Sequence, residues 1–179
     1  MLADGFEEIE ALATIDVLRR AGMDVCVMSI NDEGIACGAH NVVVVADVAF
    51  EPEALADAEW VILPGGMPGA SNLAACEPLT EALKARHAEG KKNAAICASP
   101  ALVFAPLGLL DGKNATCYPS MENLDCEAKW CDQMVVVDAN VTTGRGPAAA
   151  VDFGLAIVAQ TCGEAAAREV AAGMLHCRK

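Results

Sequence analysis

The segment NAAICASPA, residues 93–101, places one cysteine at the end of an apolar run and shortly before a proline. The run has the composition of a buried strand, and Pro100 suits the first turn of a helix. The residues next to Cys97 are small, as the backbone crowding at a sharp strand-to-helix turn requires. N–H groups at a helix N-terminus favour a thiolate. The segment therefore predicts a nucleophile elbow in which Cys97 is the reactive residue.

The thiol of Cys97 needs more than a helix terminus to become a nucleophile at neutral pH. Its ordinary pKa is about 8.5, and lowering that value by about 3 units requires roughly 4 kcal/mol. A helix N-terminus provides at most about 2 kcal/mol. We therefore expect a second hydrogen-bond donor at the sulfur, with a lowered thiol pKa as the result.

Three glutamates, Glu7, Glu8 and Glu10, open the first predicted helix. This helix follows the first strand, so its start lies at the same edge of the sheet as Cys97. An ionised carboxylate there would raise the thiol pKa by charge repulsion. We therefore expect the useful glutamate to carry a proton, to donate it to the sulfur in a hydrogen bond, and to form with Cys97 a pair that shares one proton.

The loop PGGMPGA, residues 64–70, ends the neighbouring predicted strand at this edge. The N–H groups of Gly65 and Gly66 have no side chain in front of them and are suited to bind an oxyanion formed by attack of Cys97. A glycine turn that only changes the direction of the chain is the alternative. Next to the predicted elbow, the functional interpretation is favoured.

The chain has nine cysteines, an odd number that excludes complete pairing into disulfides. In a reducing cytosol such thiols mostly pack as small apolar side chains. Cys117, Cys126 and Cys131 form the tightest group, but their spacing is unlike that of zinc sites, so we expect no metal. From the residues alone, an inert core thiol is the alternative for Cys97.

Composition limits the class of protein and its partners. The chain has 179 residues, of which 54% are apolar and 4% aromatic, and a formal charge of −13. These values indicate a single domain over residues 1–179 that folds without disulfides. The negative charge disfavours nucleic acid and anionic membranes as partners. Because the chain lacks a run of about 20 apolar residues and a signal-like N-terminus, we expect a cytoplasmic protein.

Runs of β-branched residues alternate with segments of helical periodicity, which is typical of a parallel sheet covered by helices on both faces. We therefore predict a doubly wound α/β fold with its site at the carboxyl ends of the strands. The predicted strands are DVCVMSI, VVVVA, WVILPGG, NAAI, ATCY, MVVVD and NVTT. The predicted helices are GFEEIEALATIDVLRRAG, a short helix or turn at EPEALADAE, about 77–87, a segment from about Pro100, and about 147–161 and 164–176.

The first predicted helix has apolar residues at every third position, Ile9, Leu12, Ile15 and Leu18, which we interpret as its buried face. Only three residues precede the turn in front of this helix. The first strand is thus a stub or is truncated, and each buried side chain that it lacks would cost about 1.5–3 kcal/mol. We expect a truncated first strand.

On these segments the chain resembles the ThiJ/PfpI superfamily, in the branch of the parkinsonism-associated protein deglycase and its bacterial YajL-type relatives. The resemblance covers nearly the whole chain and rests on the order of GFEEIEALATIDVLRRAG, VILPGG, AAICASPA and GRGPAAAVDFGLAIV. It implies a flavodoxin-like fold, a homodimer, no cofactor, and Cys97 as nucleophile and oxidation sensor.

The resemblance also implies roles for individual residues. Glu10, the last acidic residue of the EExE run, matches the family glutamate that hydrogen-bonds the cysteine. Gly65 and Gly66 match the glycines that bind the oxyanion, and the N–H of Ala98 is a further donor. These four residues would surround Cys97.

Further positions of the family pattern are matched or replaced. The GRGP segment places Gly146 and Pro147 near the site. Tyr118 stands where the parkinsonism-associated protein has a histidine, as an aromatic residue does in YajL-type members, so an imidazole base is not expected there. An arginine that lines the site in some relatives is replaced near Ala39 or His40. The protease-like branch has a histidine directly after its cysteine, whereas Ala98 follows here, which argues against peptidase activity.

The resemblance implies an enzyme that acts on the dicarbonyls methylglyoxal or glyoxal, like glyoxalase III, or on early glycation adducts of proteins, like a deglycase. The Cys97 thiolate would add to the aldehyde, Glu10 would move protons, and glycine N–H groups would bind the oxyanion. The alternative is a redox-responsive chaperone or oxidative-stress sensor with little turnover, in which Cys97 is oxidised to a sulfinate.

Overall fold

The computed structural model describes residues 1–122 and 125–176, which form a mixed α/β structure with a mostly parallel central sheet. This confirms the predicted fold class. The helices in these residues are α1 Glu8–Arg20, α2 Ala54–Asp57, α3 Gly69–Ala75, α4 Glu77–Ala88, α5 Ala150–Cys162 and α6 Glu164–Gly173. The strands are β1 Met28–Ser29, β2 Ile35–Cys37, β3 Val43–Val45, β4 Val48–Ala49, β5 Trp60–Leu63, β6 Lys92–Ile96, β7 Asn114–Ala115, β8 Lys129–Trp130, β9 Val135–Asp138 and β10 Val141–Gly144. Within the same ranges, no helix combines the length and apolar character that crossing a membrane requires.

The central sheet has four strands in the order β5-β6-β10-β9. Strands β5 and β10 flank β6 in parallel, and β9 is an antiparallel edge strand. The pairs β1-β4, β2-β3 and β7-β8 lie outside this sheet. Because β6 is an inner strand and runs directly into Cys97, the elbow lies at the middle of the carboxyl edge, where open α/β sheets hold their sites.

Alternate side chains of the central strands pack against opposite faces of the sheet. Ile96 belongs to a buried cluster with Val17 of α1 and Phe153 of α5. Its neighbour Ala95 belongs to the cluster on the other face, with Leu73 of α3. This period of two is expected for strands that are covered on both sides.

The buried face of α1 differs from the predicted one. Ile9 and Leu12 are 58% and 40% exposed, whereas Leu18 is buried. Residues spaced by three turn by about 60° per step around a helix of 3.6 residues per turn, so Ile9 and Leu18 lie on opposite faces. The face that packs inward carries Glu8, Glu10, Ala11, Thr14, Val17 and Leu18. Burying acidic residues in the first turn directs carboxyl groups toward the site.

The valine run VVVVA forms β3, which pairs antiparallel with β2 in a hairpin. Val43 and Val45 are 62% and 75% exposed, so the prediction of a buried strand in the parallel sheet is wrong here. β-Branched residues favour strands in exposed as well as buried positions. The segments DVCVMSI and ATCY shorten to β1 and β7, and the helix predicted after Pro100 is one π-helical turn, Pro100–Phe104.

Residues 1–3 lie between β1 and β5. Leu2 forms one isolated parallel bridge with Ser29, and the amine of Met1 donates to the C=O of Ile62 at 2.9 Å. Residues 1–3 thus contact strands on both sides. The truncation of the first strand stays a prediction.

Candidate active site

Cys97 occupies a sharp turn between β6 and the π-helical turn that follows. Its φ angle is +64°, a left-handed conformation that a residue with a side chain adopts only when its surroundings fix it. Its N–H donates to the C=O of Gly144 on β10 at 2.9 Å, and its C=O accepts the N–H of Tyr118 at 2.8 Å. These two bonds hold the turn, and Cys97 is 8% exposed.

The loop after β5 packs directly against this turn. A Cβ atom at Gly65 would lie 2.7 Å from the Cβ of Cys97 and 2.9 Å from the N of Ala98, so no side chain fits there. Ser99 fastens the same loop from the other side, because its hydroxyl donates to the C=O of Pro64 at 2.5 Å. The glycine is therefore required by the close approach of two backbones.

Glu10 reaches this turn from the first turn of α1. The side chain is 1% exposed, and its Oε2 accepts the N–H of Gly65 at 2.8 Å. Glu7 caps the helix by accepting the N–H of Glu10 at 2.7 Å, which fixes the backbone that carries the carboxyl group. Burial raises the pKa of Glu10 to about 7, although the hydrogen bond from Gly65 acts in the opposite direction. A proton on Glu10 near neutral pH agrees with the sequence-based expectation.

The carboxyl group of Glu10 and the thiol of Cys97 influence each other. Oε1 of Glu10 is buried and makes no well-formed hydrogen bond, but a weak hydrogen bond between the carboxyl group and the Cys97 thiol contributes to the pKa shift of both groups. Burial and then the charge of Glu10 raise the pKa of Cys97 to about 12. The predicted lowering of the thiol pKa is therefore wrong, because loss of water around the sulfur outweighs the nearby donors.

These two pKa values describe one pair rather than two independent groups. Below pH 7 the pair carries two protons, one on Glu10 and one on Cys97. Above pH 7 one proton remains, and in the resting structure it lies on the sulfur while Glu10 is a carboxylate. The arrangement is thus a thiol beside a carboxylate that can accept its proton.

The N–H groups that face the sulfur are those of Gly66 and Ala98, and both act to lower the thiol pKa. The prediction that Gly65 would bind an oxyanion is corrected, because its N–H donates to Glu10 instead. Gly66 has a φ of +89°, and a Cβ there would overlap the backbone N of Glu7. The sequence identified the loop but not which group each of its two N–H donors binds. The partner of each N–H depends on the orientation of its peptide plane.

Of the three further residues predicted near the site, Tyr118 contacts Cys97 and Gly146 lies beside Tyr118, whereas the place of Pro147 at the site stays a prediction. The N–H of Tyr118 bonds to Cys97, and its ring lies 3.4 Å from the position that a Cβ of Gly146 would take. Pro147 begins the 3-10 turn that leads into α5. The backbone of Tyr118, rather than its hydroxyl, thus makes the contact to the nucleophile.

His40 is held near the start of α1 by Glu8, a partner that the sequence did not indicate. Its N–H donates to Oε1 of Glu8 at 2.6 Å, and its Nδ1 lies 2.8 Å from Oε2. Burial opposes ionisation of Glu8, but the bonds from His40 outweigh it and lower the Glu8 pKa. The same bond raises the pKa of His40. This pair fastens the loop between β2 and β3 to α1.

Glu7, Glu8 and His40 also place ligand atoms within 4.8 Å of one another, an arrangement that could hold a metal ion. Carboxylate oxygens of both glutamates already accept N–H groups of the protein. A cation there would have to compete with these bonds. The absence of a metal stays a prediction.

Comparison with known proteins gives consistent results. Residues 1–160 match the model of the DJ-1/PfpI family. The chain is 40% identical over 170 residues to Protein DJ-1 homolog B of Arabidopsis thaliana, which covers 94% of this chain and 39% of that protein. It is 36% identical over 154 residues to the glutathione-independent glyoxalase DJR-1.2 of Caenorhabditis elegans, covering 85% of this chain and 81% of that protein.

The fold has close relatives among solved structures. The crystal structure of Drosophila melanogaster DJ-1beta superposes with a TM-score of 0.92 at 34% identity, covering 99% of this chain and 96% of that one. This similarity agrees with the predicted flavodoxin-like architecture. The chain spans about two fifths of the Arabidopsis relative, 39% of its length, and most of the Drosophila one.

Proposed function

The chain belongs to the DJ-1/PfpI family, and from that premise we propose that it is a cofactor-independent enzyme whose Cys97 attacks reactive dicarbonyls. The observation that carries the proposal is the buried pair of Glu10 and Cys97, beside the two N–H groups of Gly66 and Ala98. The substrate class, methylglyoxal or glyoxal, is supported by a relative named as a glutathione-independent glyoxalase. Early glycation adducts on proteins are a related class, because they derive from the same carbonyls.

In the first step the sulfur of Cys97 bonds to the aldehyde carbon of methylglyoxal. The thiol proton passes to the carboxylate of Glu10, whose pKa of about 7 suits a general base near neutral pH. The electron pair of the C=O bond moves to oxygen, and the N–H groups of Gly66 and Ala98 stabilise the resulting oxyanion. Glu10 then returns the proton to this oxygen, which gives a hemithioacetal.

In the second step Glu10 removes the C–H proton of the hemithioacetal carbon. An enediol forms, and a proton added to the neighbouring carbon gives a thioester of a 2-hydroxy acid on Cys97. Water hydrolyses the thioester, which releases lactate and restores the thiol. The aldehyde carbon is oxidised and its neighbour is reduced. Methylglyoxal and water therefore give lactate without an external electron carrier.

Two further features of the proposal concern assembly and location. We propose a homodimer, because the exposed apolar side chains Ile9 and Leu12 on α1 and Val43 and Val45 on β3 would gain from being covered. Free thiols are present at seven positions, which suits a reducing compartment, and we place the protein in the cytoplasm on that basis: Cys26, Cys37, Cys76, Cys97, Cys117, Cys131 and Cys162. A peptidase is not proposed, because Ala98 stands where the protease-like relatives have histidine.

The second candidate is an oxidative-stress sensor or redox-responsive chaperone. The same N–H groups of Gly66 and Ala98 would donate hydrogen bonds to the oxygens of a Cys97 sulfinate, and a protonated Glu10 would donate to one of them. Turnover would then be minor. The two candidates use the same site. They differ in whether the Cys97 thiol is restored after each reaction or remains oxidised.

The experiment is to measure lactate formation from methylglyoxal by the protein and by Cys97→Ser. We expect turnover by the protein and none by the variant. Cys162→Ser, which changes an exposed free thiol elsewhere, is the matched control and should keep full activity. Absence of turnover in the unchanged protein, together with suppression of client aggregation that depends on peroxide, would favour the sensor.

A further inference from the structure

Two consecutive peptide groups in the loop after β5 each give their N–H to one member of the catalytic pair. The peptide between Pro64 and Gly65 donates to Oε2 of Glu10 at 2.8 Å. The next peptide, between Gly65 and Gly66, directs its N–H at the sulfur of Cys97. The N–H and the C=O of one planar trans peptide point in opposite directions. A group that holds the C=O therefore also aims the N–H.

The C=O of the first peptide is held by the turn that carries the nucleophile. The hydroxyl of Ser99, which is 0% exposed, donates to the C=O of Pro64 at 2.5 Å. The C=O of the second peptide, that of Gly65, accepts the N–H of Glu7 at 3.0 Å. The first peptide is thus fixed from the elbow and the second from α1. Because Ser99 lies two residues after Cys97, the turn that positions the sulfur also aims the donor of its carboxyl partner.

These bonds form one continuous hydrogen-bond chain from Ser99 to Glu10. The chain passes from the hydroxyl through the peptide after Pro64 to Oε2 of the carboxyl group, and each of these residues is buried. A peptide whose C=O accepts a hydrogen bond is polarised and becomes a stronger donor at its N–H, most of all away from water. The hydroxyl therefore supports the bond to Glu10 both by direction and by polarisation.

A hydroxyl that only satisfies a buried C=O is the alternative role of Ser99. Ser29 provides an example of that role in the same chain. It is also 0% exposed, and its hydroxyl donates to the C=O of Ile35 at 3.4 Å. Ile35 belongs to β2 rather than to the loop at the site. The two serines thus form a matched pair for separating the two roles.

We propose that Ser99 is a positioning residue: its hydroxyl aims the peptide after Pro64, whose N–H holds the carboxyl group of Glu10 beside the thiol. This arrangement rests on the hydrogen-bond chain alone. Its consequence for catalysis rests on the proposed function, because it concerns the proton that Glu10 accepts from the thiol.

Loss of the hydroxyl would change the ionisation of Glu10. Burial raises the pKa of Glu10, the bond from Gly65 and a weaker one from Cys97 lower it, and the charge of Glu7 raises it. When the Gly65 bond weakens, burial is opposed less, so Glu10 keeps its proton to a higher pH. Fewer molecules would then carry, at pH 7, the carboxylate that accepts the thiol proton.

The first experiment observes the N–H of Gly65 directly by NMR, with ¹³C at the carbonyl carbon of proline and ¹⁵N in glycine. Gly65 and Gly69 are the two glycines that follow a proline in this sequence, so their two amide signals are selected. The Gly65 signal should move downfield as Glu10 ionises near pH 7, because a carboxylate is a stronger acceptor than a carboxylic acid. The Gly69 signal is the internal control, because its N–H donates to the C=O of Gly5 at 3.1 Å.

The second experiment compares Ser99→Ala with the unchanged protein. Amide hydrogen exchange of Gly65 should become at least about tenfold faster, because its peptide is no longer held at the C=O. The Glu10 carboxyl carbon should titrate about half to one pH unit higher. Ser29→Ala, which removes the matched buried hydroxyl, should leave both values unchanged.

Two results would overturn the positioning role. One is a Gly65 signal in the unchanged protein that does not move near pH 7. The other is a Ser99→Ala protein that keeps both the Gly65 exchange rate and the Glu10 titration step, which would reduce Ser99 to a partner for a buried C=O.

The catalytic consequence is measured separately, as lactate formation from methylglyoxal. The expected pKa change reduces the carboxylate fraction, and with it the kcat of Ser99→Ala, about two- to fivefold at pH 7 and little at pH 9. An equal kcat at pH 7 would refute this consequence. Absence of lactate with the unchanged protein would refute the proposed function and leave the NMR test of Ser99 intact.

Discussion

Replacing Glu10 by glutamine tests the proton partner of Cys97. The amide keeps the size of the side chain and can still accept the N–H of Gly65, but it cannot accept the thiol proton. In the unchanged protein, turnover of methylglyoxal should rise as pH increases through about 7, where Glu10 loses its proton. Glu10→Gln should remove this step, because the remaining titrating group is the thiol.

The size of the effect follows from the loss of the base. General acid–base catalysis contributes about 100- to 10,000-fold, which corresponds to roughly 3–5 kcal/mol in the activation free energy. Removing the charge of Glu10 lowers the Cys97 pKa from about 12, yet burial, its largest cause, stays in place. We therefore expect the kcat of Glu10→Gln at pH 7.5 to be lower than that of the unchanged protein by a factor in that range. The kcat of the variant should rise only in alkaline solution.

The assay is lactate formation between pH 5.5 and 10, with kcat and kcat/KM fitted separately. Glu33→Gln is the matched control, since Glu33 is an exposed residue on a turn between β1 and β2, and it should reproduce the unchanged profile. A Glu10→Gln protein that keeps the step near pH 7, or loses less than tenfold in kcat, would refute the role given to Glu10.

The remaining predictions concern stability. Because the pKa of Glu10 is raised in the folded state, its contribution to the free energy of unfolding is complete below about pH 4.5 and is lost as pH rises through 7. Urea unfolding should therefore show the stability of Glu10→Gln increasing by roughly 2–4 kcal/mol relative to the unchanged protein between pH 5 and pH 8. Gly66→Ala should lower the unfolding free energy by at least about 2 kcal/mol, because φ is +89° and the added Cβ overlaps Glu7, and a smaller loss would contradict the observed packing. His40→Ala should destabilise at pH 6 more than at pH 9, because the raised His40 pKa means that its bond to Glu8 contributes below that pKa and is lost above it; equal losses at both pH values would argue against this pair.

Much of the fold could be predicted because its signals are local. Strands β5, β6, β9 and β10 have apolar or β-branched runs, and the small residues around Cys97 indicated the turn that its φ of +64° confirms. Two errors came from the same kind of signal. Four valines predict a strand but not its exposure, and a spacing of three cannot define one helix face.

The site was predictable in its composition but less so in its electrostatics. Sequence and resemblance named Glu10, Cys97 and the glycine loop, and the structure brings them together. They could not show that the N–H of Gly65 is taken by Glu10, since this depends on peptide orientation. They also could not give the sign of the Cys97 shift, because burial depends on residues far apart in the chain.

The central claim is that Glu10 exchanges a proton near neutral pH beside a thiol. The most direct measurement is the ¹³C NMR shift of the Glu10 carboxyl carbon between pH 4 and 10, with its signal identified by its absence in Glu10→Gln. We predict a titration step near pH 7, where burial places the pKa of this group. A step near pH 4.5, the ordinary value for glutamate, would mean that Glu10 is solvated and would contradict the account.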